Sequence, residues 1–314
     1  MKRHTVMTPY MVGEVHYYST EINGELVLFD TGPPTPEGLA ELERTVDLKR
    51  LKHLFVTHCH VDHYGLAAHI ESHSAARIYF PRKDVLRLRR REEWMAGLQG
   101  LLVSAGFAAD FGRSLQAIFQ AHQTLPPCPK EFEIVEDSAV PGRLGISILP
   151  CPGHSQSDLV YLQGGFAVTG DILLRDIFQS PLLDVDAESF SGRFNNYQAY
   201  CSSLLNLAAL RGMLILPAHR EYVEGVDETI IFYLRKLLER AGQVKRFAHL
   251  EKISDVVNQI FGAALVDPFV IYLKASEIYF MRDFLADPVR LKRSLVQIGL
   301  FDQVRETYEL VTAR

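Results

Sequence analysis

The sequence lacks several features that would indicate export or a membrane location. Its 314 residues contain no apolar run near the roughly 18 residues that a membrane-spanning helix needs. The N-terminus starts with basic residues but has no continuous apolar core of a signal peptide. The four cysteines show no paired spacing, which favours reduced thiols over disulfides: Cys59, Cys128, Cys151 and Cys201. We therefore predict a cytoplasmic protein with no membrane partner.

A strong excess of charge of one sign is also absent. Lys and Arg number 33 against 38 Asp and Glu, so the formal net charge is −5. This balance gives no general attraction to nucleic acid or to an anionic membrane. A long nucleic acid is disfavoured because such a partner demands several phosphate contacts. A small-molecule substrate is therefore the predicted partner, with a nucleic acid and a homodimer left open.

Strands and helices alternate over most of the chain. Asn23-Gly24 separates two apolar runs and predicts a tight hairpin, while Thr35-Pro36 predicts the start of a helix. Residues 81–125 carry helical periodicity without a clear strand and predict a helical insertion. We predict a catalytic domain over residues 1–224 and a helical C-terminal region over residues 225–314.

Three further elements are predicted from local patterns. A short helix is expected from about Gly65 to His73, and a strand from Phe132 to Val135. In the C-terminal region, two clear helical segments are followed by two more candidates.

The run His58-Cys59-His60-Val61-Asp62-His63 is the densest group of potential metal ligands. It follows the apolar stretch Leu54–Thr57, which predicts a buried strand with the ligands at its C-terminal end. Alternation of an extended backbone would direct His58, His60 and Asp62 to one side and Cys59 to the other. Cys59 is therefore given a packing role. His63 projects differently from Asp62, so one loop can supply ligands to two metal ions.

Three more potential ligands follow predicted strands. His154 lies in Pro-Gly-His-Ser, Asp171 in Thr-Gly-Asp, and His219 in Pro-Ala-His. Each follows an apolar run and has Gly or Pro beside it. We expect these side chains to meet at one edge of a sheet, a common place for a site.

Together these motifs resemble the metallo-β-lactamase superfamily, whose signature HxHxDH is followed by a later His, Asp and His. The resemblance covers about residues 10–222. It implies an α+β fold, an αββα sandwich with two metals at its edge, extended here by the helical insertion and the helical C-terminal region. It also implies that Asp30 supports the metal loop. By position in the motifs, the implied ligands are His58, His60 and His154 for the first ion, Asp62, His63 and His219 for the second, and Asp171 for both.

The resemblance further implies a metal-dependent hydrolase. A hydroxide bridging two divalent ions would attack a small ester, thioester or lactone, with Asp62 and Asp171 as catalytic residues and Asp62 able to move a proton. Imidazole and carboxylate ligands suit Zn, with Fe or Mn as alternatives. The helical tail after Gly225 broadly resembles the appended helical region of glyoxalase II-like hydrolases and of related members that cleave RNA.

Other functions on the same site stay open. One is a phosphodiesterase or nuclease. A di-iron redox protein is a second, although its relatives usually carry Glu where His60 stands. A weakly active regulatory protein is a third. Among possible substrate contacts, we interpret the basic run Arg87–Arg91 as a solvated helix face. The alternative, in which the run lines the cleft, would favour an anionic substrate such as a phosphodiester, a nucleotide or a CoA-type thioester. Arg220 stands beside His219, and Tyr197 is a weaker candidate.

Overall fold

The computed structural model describes residues 1–121, 126–223, 225–262 and 265–313. In this part of the chain, ten strands form two sheets. The first sheet has six strands, in chain order across the sheet: β1 (Lys2–Met7), β2 (Glu14–Ile22), β3 (Glu25–Phe29), β4 (Leu51–Phe55), β5 (Arg77–Phe80) and β6 (Glu133–Ile134). The second sheet has the spatial order β10-β9-β8-β7, with β7 (Ser147–Pro150), β8 (Leu159–Gln163), β9 (Phe166–Gly170) and β10 (Leu214–Pro217).

The helices fall into three groups along the chain. The helices around the sheets are α1 (Pro36–Thr45), α2 (Val61–Tyr64), α3 (Ala67–His73), α7 (Val140–Arg143) and α8 (Asn196–Ala208). The insertion contains α4 (Arg82–Arg89), α5 (Arg91–Ser104) and α6 (Phe111–Ala121). The C-terminal region contains α9 (Val226–Lys245), α10 (Ile253–Phe261), α11 (Pro268–Ala286), α12 (Pro288–Ile298) and α13 (Arg305–Thr312).

The two sheets pack face to face through apolar and aromatic side chains. Phe29 and Phe55 of the first sheet lie 5.5 and 5.7 Å from the Tyr161 ring of the second sheet, measured between ring centroids. Side chains of α1 and α3, such as Leu42 and Ile70, pack on the outer face of the first sheet. The helix α8 and the C-terminal helices cover the outer face of the second sheet. The predicted αββα sandwich is therefore confirmed.

Strand direction brings several strand ends to one edge. The strands β3, β4, β5 and β6 are parallel neighbours in the first sheet, and β9 and β10 are parallel in the second. Parallel neighbours end on the same side, so the loops that leave them share one edge of the sandwich. Most of the predicted ligands lie on these loops.

Local sequence signals correctly predicted one turn and one helix cap. Asn23 and Gly24 adopt φ values of +53° and +80°, and they join the antiparallel strands β2 and β3. Such left-handed backbone is what Asn-Gly favours in two-residue hairpins. The Thr35 side chain accepts a hydrogen bond from the Gly38 N–H at 3.0 Å, and Pro36 is the first residue of α1. Both predictions are confirmed.

One of the remaining element predictions is confirmed, and two were wrong in detail. The helix expected from about Gly65 to His73 is α3 (Ala67–His73), while α2 (Val61–Tyr64) is an additional short helix inside the motif. The strand expected over Phe132–Val135 contains only Glu133–Ile134, and a 3₁₀ turn starts at Val135. Three helices, rather than two, follow the first two of the described C-terminal region.

The C-terminal helices share one hydrophobic core with the second sheet. Val160, Ala167 and Ile215 of that sheet belong to the same buried cluster as Leu234 of α9 and Phe284 of α11. The division after residue 224 stays a prediction, and the expected end of the insertion at Leu125 falls outside the described residues. None of the described helices is both long and apolar enough to cross a membrane. The four cysteines are all free.

Candidate metal centre

The seven predicted ligands meet at the edge of the sandwich in two neighbouring groups. Within each group, one ligand atom from every residue lies within 4.8 Å of the others. The first cluster consists of His58, His60, His154 and Asp171, and the second cluster of Asp62, His63 and His219. Their role as metal ligands stays a prediction, but the structure brings all seven together.

The predicted alternation of side-chain directions holds for the motif only as far as its third residue, His60. His60 keeps an extended backbone, with φ −83° and ψ 154°, and it is the N-cap of α2. The helical turn that follows directs Asp62 away from the first cluster and places it with His63 and His219. The prediction that Asp62 faces the same side as His58 was therefore wrong, because the chain turns at Val61.

Three imidazole nitrogens converge in the first cluster. His60 Nδ1 lies 2.8 Å from His58 Nε2 and 3.1 Å from His154 Nε2. Burial lowers the pKa of His58 and of His60 well below the ordinary value, and the neighbouring histidines lower both further. Neutral imidazoles with their lone pairs directed to one point are the form in which histidine binds a metal ion.

Asp171 lies between the two clusters. Its Oδ2 is 3.5 Å from His154 Nε2, while its Oδ1 is 3.4 Å from His63 Nε2 and 3.3 Å from His219 Nε2. On the far side of the second cluster, Asp62 Oδ2 lies 3.3 Å from His219 Nε2. One carboxylate therefore has one oxygen directed at each cluster, as a bridging ligand requires.

Buried polar atoms that make no hydrogen bond show whether these residues suit a metal ion. His63 Nε2, His219 Nε2 and Asp171 Oδ1 are buried and make no hydrogen bond. Buried polar atoms in proteins nearly always have a partner, and an ion is one recognised explanation where none is seen. All three atoms point into the second cluster, so the residues present fit a divalent cation.

Backbone carbonyls fix which ring nitrogen faces the centre. His154 Nδ1 donates to the Ser180 carbonyl at 2.8 Å, and His219 Nδ1 donates to the Glu14 carbonyl at 2.6 Å. A carbonyl oxygen only accepts, so each Nδ1 carries a proton and Nε2 is the nitrogen that faces the centre. Contacts of this kind orient metal ligands and increase their basicity.

Asp30 occupies the supporting position that the resemblance implied. Its Oδ2 lies 2.9 Å from His63 Nδ1 and accepts from the Thr57 hydroxyl at 2.8 Å, while its Oδ1 accepts from the Thr57 N–H at 2.7 Å. Its φ of +61° is in the left-handed region, which Asp tolerates better than most residues. Asp30 thus links the end of β3 to both ends of the ligand loop.

The second cluster is strongly polarised. Burial disfavours a charged His63, but Asp171, Asp62 and Asp30 outweigh it and raise its pKa well above the ordinary value. For His219 the same opposition, with Asp171 and Asp62 acting against burial, raises the pKa to about 9. Burial likewise opposes the Asp171 charge, yet His219 and His63 hold its pKa well below the usual range. Cations in this cluster would replace the protons.

The interpretation of Arg87 as part of a solvated helix face was wrong. Its side chain is only 15% exposed, and its Nη2 donates to the Cys59 carbonyl at 2.6 Å, directly between two predicted ligands. Arg89 is exposed as expected. The periodicity of α4 could not show which arginine faces inward, because arginines lie on both the inner and the outer face of this short helix.

Other predicted contacts have mixed outcomes. Tyr197 is buried and its hydroxyl donates to the Asp287 carbonyl, so it does not face the centre. Arg220 is exposed beside His219, and its carbonyl lies 2.8 Å from His16 Nε2. Cys59 is buried, and burial raises the pKa of its thiol well above the ordinary value, in keeping with a packing role.

One residue that is electrostatically coupled to the second cluster was not identified from the sequence. Burial, and after it the Asp62 charge, raise the pKa of the Tyr10 phenol to about 12. A tyrosine so far before the motif in the chain carries no local signal of this coupling.

Comparisons with known proteins agree with this geometry. A family model described as the metallo-beta-lactamase superfamily matches residues 12–219, well over half of the chain. Over 274 residues the chain is 26% identical to a Bacillus subtilis (strain 168) protein described as "Probable metallo-hydrolase YqjP", covering 82% of this chain and 84% of that one.

Two solved structures share the fold. A metallo-beta-lactamase family protein from Thermus thermophilus superposes with a TM-score of 0.72 at 18% identity, covering 91% of this chain and 93% of that one. A beta-lactamase domain protein from Burkholderia ambifaria gives 0.68 at 19% identity, covering 90% and 86%. At these identities the likeness concerns the fold alone. Because the family model spans the whole ligand set from His58 to His219, the chain belongs to the metallo-beta-lactamase superfamily.

Proposed function

We propose that this protein is a two-metal hydrolase acting on a small ester, thioester or lactone. The observation that carries the proposal is the position of Asp171, with one oxygen directed at each cluster. A metal-dependent hydrolase in general terms is what the family and the curated relative support. The number of ions and the substrate class are our own inference.

The residues present would hold two ions of the kind that nitrogen and oxygen ligands prefer, Zn first, with Fe or Mn as alternatives. Such ions supply a water of lowered pKa and polarise the oxygen of a scissile carbonyl. The ligand assignment is His58, His60 and His154 for one ion, Asp62, His63 and His219 for the other, and Asp171 for both.

Asp62 is the residue that we assign to proton transfer. Burial opposes the Asp62 charge, but His63 and His219 hold the pKa of this carboxyl below its ordinary value, so the carboxylate is ionised at neutral pH and can accept a proton.

The surroundings of His60 favour a substrate without a large negative charge. A small, water-sized cavity beside His60 is lined by the carboxylates of Asp84 and Asp184 together with apolar groups such as Trp94. Arg87, the one Lys or Arg among its described lining residues, already pairs with Asp84 and the Cys59 carbonyl. An anionic phosphodiester would therefore gain little from that committed charge, whereas the neutral carbonyl of an ester or thioester needs none.

The helical region from Val226 onward supports the glyoxalase II-like branch of the superfamily as the nearest functional group. In this chain α9 and α11 pack on the second sheet and approach the centre through the segment around Ser180. That arrangement gives the C-terminal helices a place in forming the substrate site.

The proposal is tested by metal analysis and a substrate panel. We expect about two metal ions per chain, and turnover of some thioesters, lactones or aryl esters by the metal-loaded protein. Bis-aryl phosphodiesters are the comparison substrates, and the protein stripped of metal is the control. Turnover of phosphodiesters alone would overturn the substrate class. Two tightly bound ions without turnover of any substrate would indicate a regulatory protein instead.

A further inference from the structure

We propose that the ion pair Asp84–Arg87 of α4 positions His58 and His60, and thereby sets the affinity and geometry of the first ion. The pair acts through the peptide groups of Cys59, the residue between the two histidines. This inference rests on the metal centre of the proposed function. It adds positioning residues outside the motif, supplied by the helical insertion.

The pair occupies both polar groups of the Cys59 backbone. Asp84 Oδ2 accepts from the Cys59 N–H at 2.7 Å, and Arg87 Nη2 donates to the Cys59 carbonyl at 2.6 Å. The same Arg87 Nη2 lies 2.9 Å from Asp84 Oδ1, across one turn of the helix. The peptide groups on both sides of Cys59 are therefore fixed in orientation, and the histidines attached to them are fixed as well.

Burial makes these contacts costly to lose. The side chains of Asp84 and Arg87 are 5% and 15% exposed, and Cys59 is buried. Hydrogen bonds to charged groups in such surroundings are stronger than those between neutral groups, and a charge left without its partner is destabilising. The Trp94 ring centroid lies 5.3 Å from the Arg87 guanidinium carbon, so the ring covers one face of the guanidinium.

The position of Arg87 distinguishes it from the other basic residues of the same run. Arg90 pairs with Glu93 at the surface, and Arg89 lies against the Phe132 ring while remaining exposed. Both are directed away from the ligand loop. The run Arg87–Arg91 is therefore not one charged surface, because its first member is directed into the metal loop.

The contact is specific to the first cluster. The second half of the motif is anchored elsewhere, because the His63 carbonyl accepts from the Thr31 N–H at 2.7 Å and from the Thr31 hydroxyl at 3.1 Å. A change in the Asp84–Arg87 pair should consequently reach His58 and His60 first and leave the second ion largely unaffected. A role in stability alone would affect both ions alike.

The test compares Arg87→Met with Arg89→Met, a change of the same residue type on the same helix. Zn²⁺ affinities are measured by competition with a chelator, and Co²⁺ absorption spectra report the two sites separately. His60→Ala and His219→Ala proteins provide the reference spectra for each remaining site. These readouts need no substrate, so a failed substrate panel would leave them interpretable.

We expect Arg87→Met to weaken binding of the first ion by about 10- to 100-fold, because loss of a supporting contact to a ligand commonly has this effect. The affinity for the second ion should change by less than about threefold. The first-site Co²⁺ spectrum should shift, and Arg89→Met should match the unchanged protein. Equal weakening of both ions, or none, would overturn the proposal.

A milder variant covers the case in which Arg87→Met does not fold. Arg87→Lys keeps a positive charge beside Asp84, but its ammonium ends one bond short of the Nη2 position that contacts both Asp84 and the Cys59 carbonyl. Thermal unfolding of the metal-free proteins shows whether each variant is folded. In a folded Arg87→Lys protein we again expect selective weakening of the first ion. Unchanged affinity at that site would contradict the proposal.

Discussion

The first and second ligand clusters are supported by different parts of the chain. In the first cluster, His154 is held by the Ser180 carbonyl, and the Ser180 hydroxyl donates to Glu277 of α11 at 3.0 Å. In the second cluster, His63 is held by Asp30 at the end of β3, and His219 by the Glu14 carbonyl at the start of β2. Helices outside the sandwich support one cluster, and strands of its first sheet support the other.

The clusters also differ in charge. In the first cluster, burial and neighbouring histidines lower the pKa of His58 and His60, so these two imidazoles are neutral. In the second cluster, the carboxylates outweigh burial and raise the pKa of His63 and His219. The first ion therefore meets neutral imidazoles at His58 and His60, whereas the second must displace protons from His63 and His219.

This difference indicates which of the two metal sites can change while the fold stays the same. The second cluster depends on the sheet that defines the sandwich, so it changes little without loss of the fold. The first cluster depends on α4 and α11, which can vary while the sheets stay intact. We infer that the helices adjust the first ion independently of the second.

Asp171→Ala tests the one residue that the clusters share. Since Asp171 faces both, we expect both ions to bind more weakly by more than the roughly 100-fold that supporting residues contribute, with hydrolysis lost in parallel. Elemental analysis and chelator competition measure the affinities. Loss of one ion alone, with the other at its original affinity, would show that Asp171 belongs to a single cluster.

The pH dependence of metal affinity should separate the two ions. His219 has a pKa raised to about 9, and the pKa of His63 is also raised, so both must release protons when the second ion binds. The affinity for this ion should therefore rise between pH 6.5 and 9, by about tenfold per pH unit for each proton released. The first ion should depend less on pH, because His58 and His60 are already neutral. Calorimetry in two buffers counts the protons, and equal release at both sites would contradict the comparison.

The same protons affect the metal-free fold. Because the pKa of His219 is raised in the folded protein, its protonation contributes to the free energy of unfolding. This contribution is fully present below pH 6.5, the ordinary pKa of histidine, and is lost as the pH rises through about 9. A bound cation in the second cluster removes this dependence, because it takes the place of the protons.

Glu277→Gln should have the smallest effect and concern the first ion alone. Glu277 accepts from Ser180 and pairs with Arg240 at 2.7 Å, so Gln keeps an acceptor for Ser180 and loses the ion pair. We expect about tenfold weaker binding of the first ion, the low end for a supporting residue. Glu239→Gln, which alters an exposed pair with Lys236 on α9, is the control. Weaker binding of the second ion would show that α11 supports both clusters.

The ligands themselves could be predicted because their identity is chemically constrained. His154, Asp171 and His219 each follow an apolar strand beside Gly or Pro, and parallel strand ends meet at one edge. The sandwich and the supporting role of Asp30 followed from the resemblance to the superfamily, which the ligand motifs made possible. The structure agrees on Asp30, whose carboxylate bonds both His63 and Thr57.

Several supports of the two clusters could not be predicted in the same way. Ser180 and Glu14 act through backbone carbonyls, which every residue type has, so the sequence contains no signal for them. Arg87 was misinterpreted because direction around a short helix depends on what packs against it. The turn at Val61 depended on the helix that starts there, which the extended strand before it did not indicate.

The attachment of α11 to the segment beside His154 separates the supports of the two ions in order of synthesis. The Tyr272 hydroxyl donates to the Leu183 carbonyl, and the Ser276 hydroxyl accepts from the Leu183 N–H. The ribosome adds both of these α11 residues after every ligand has been made. All contacts of the second cluster named above lie at or before His219. A growing chain therefore contains every named support of its second ion before it contains those that α11 gives to the first.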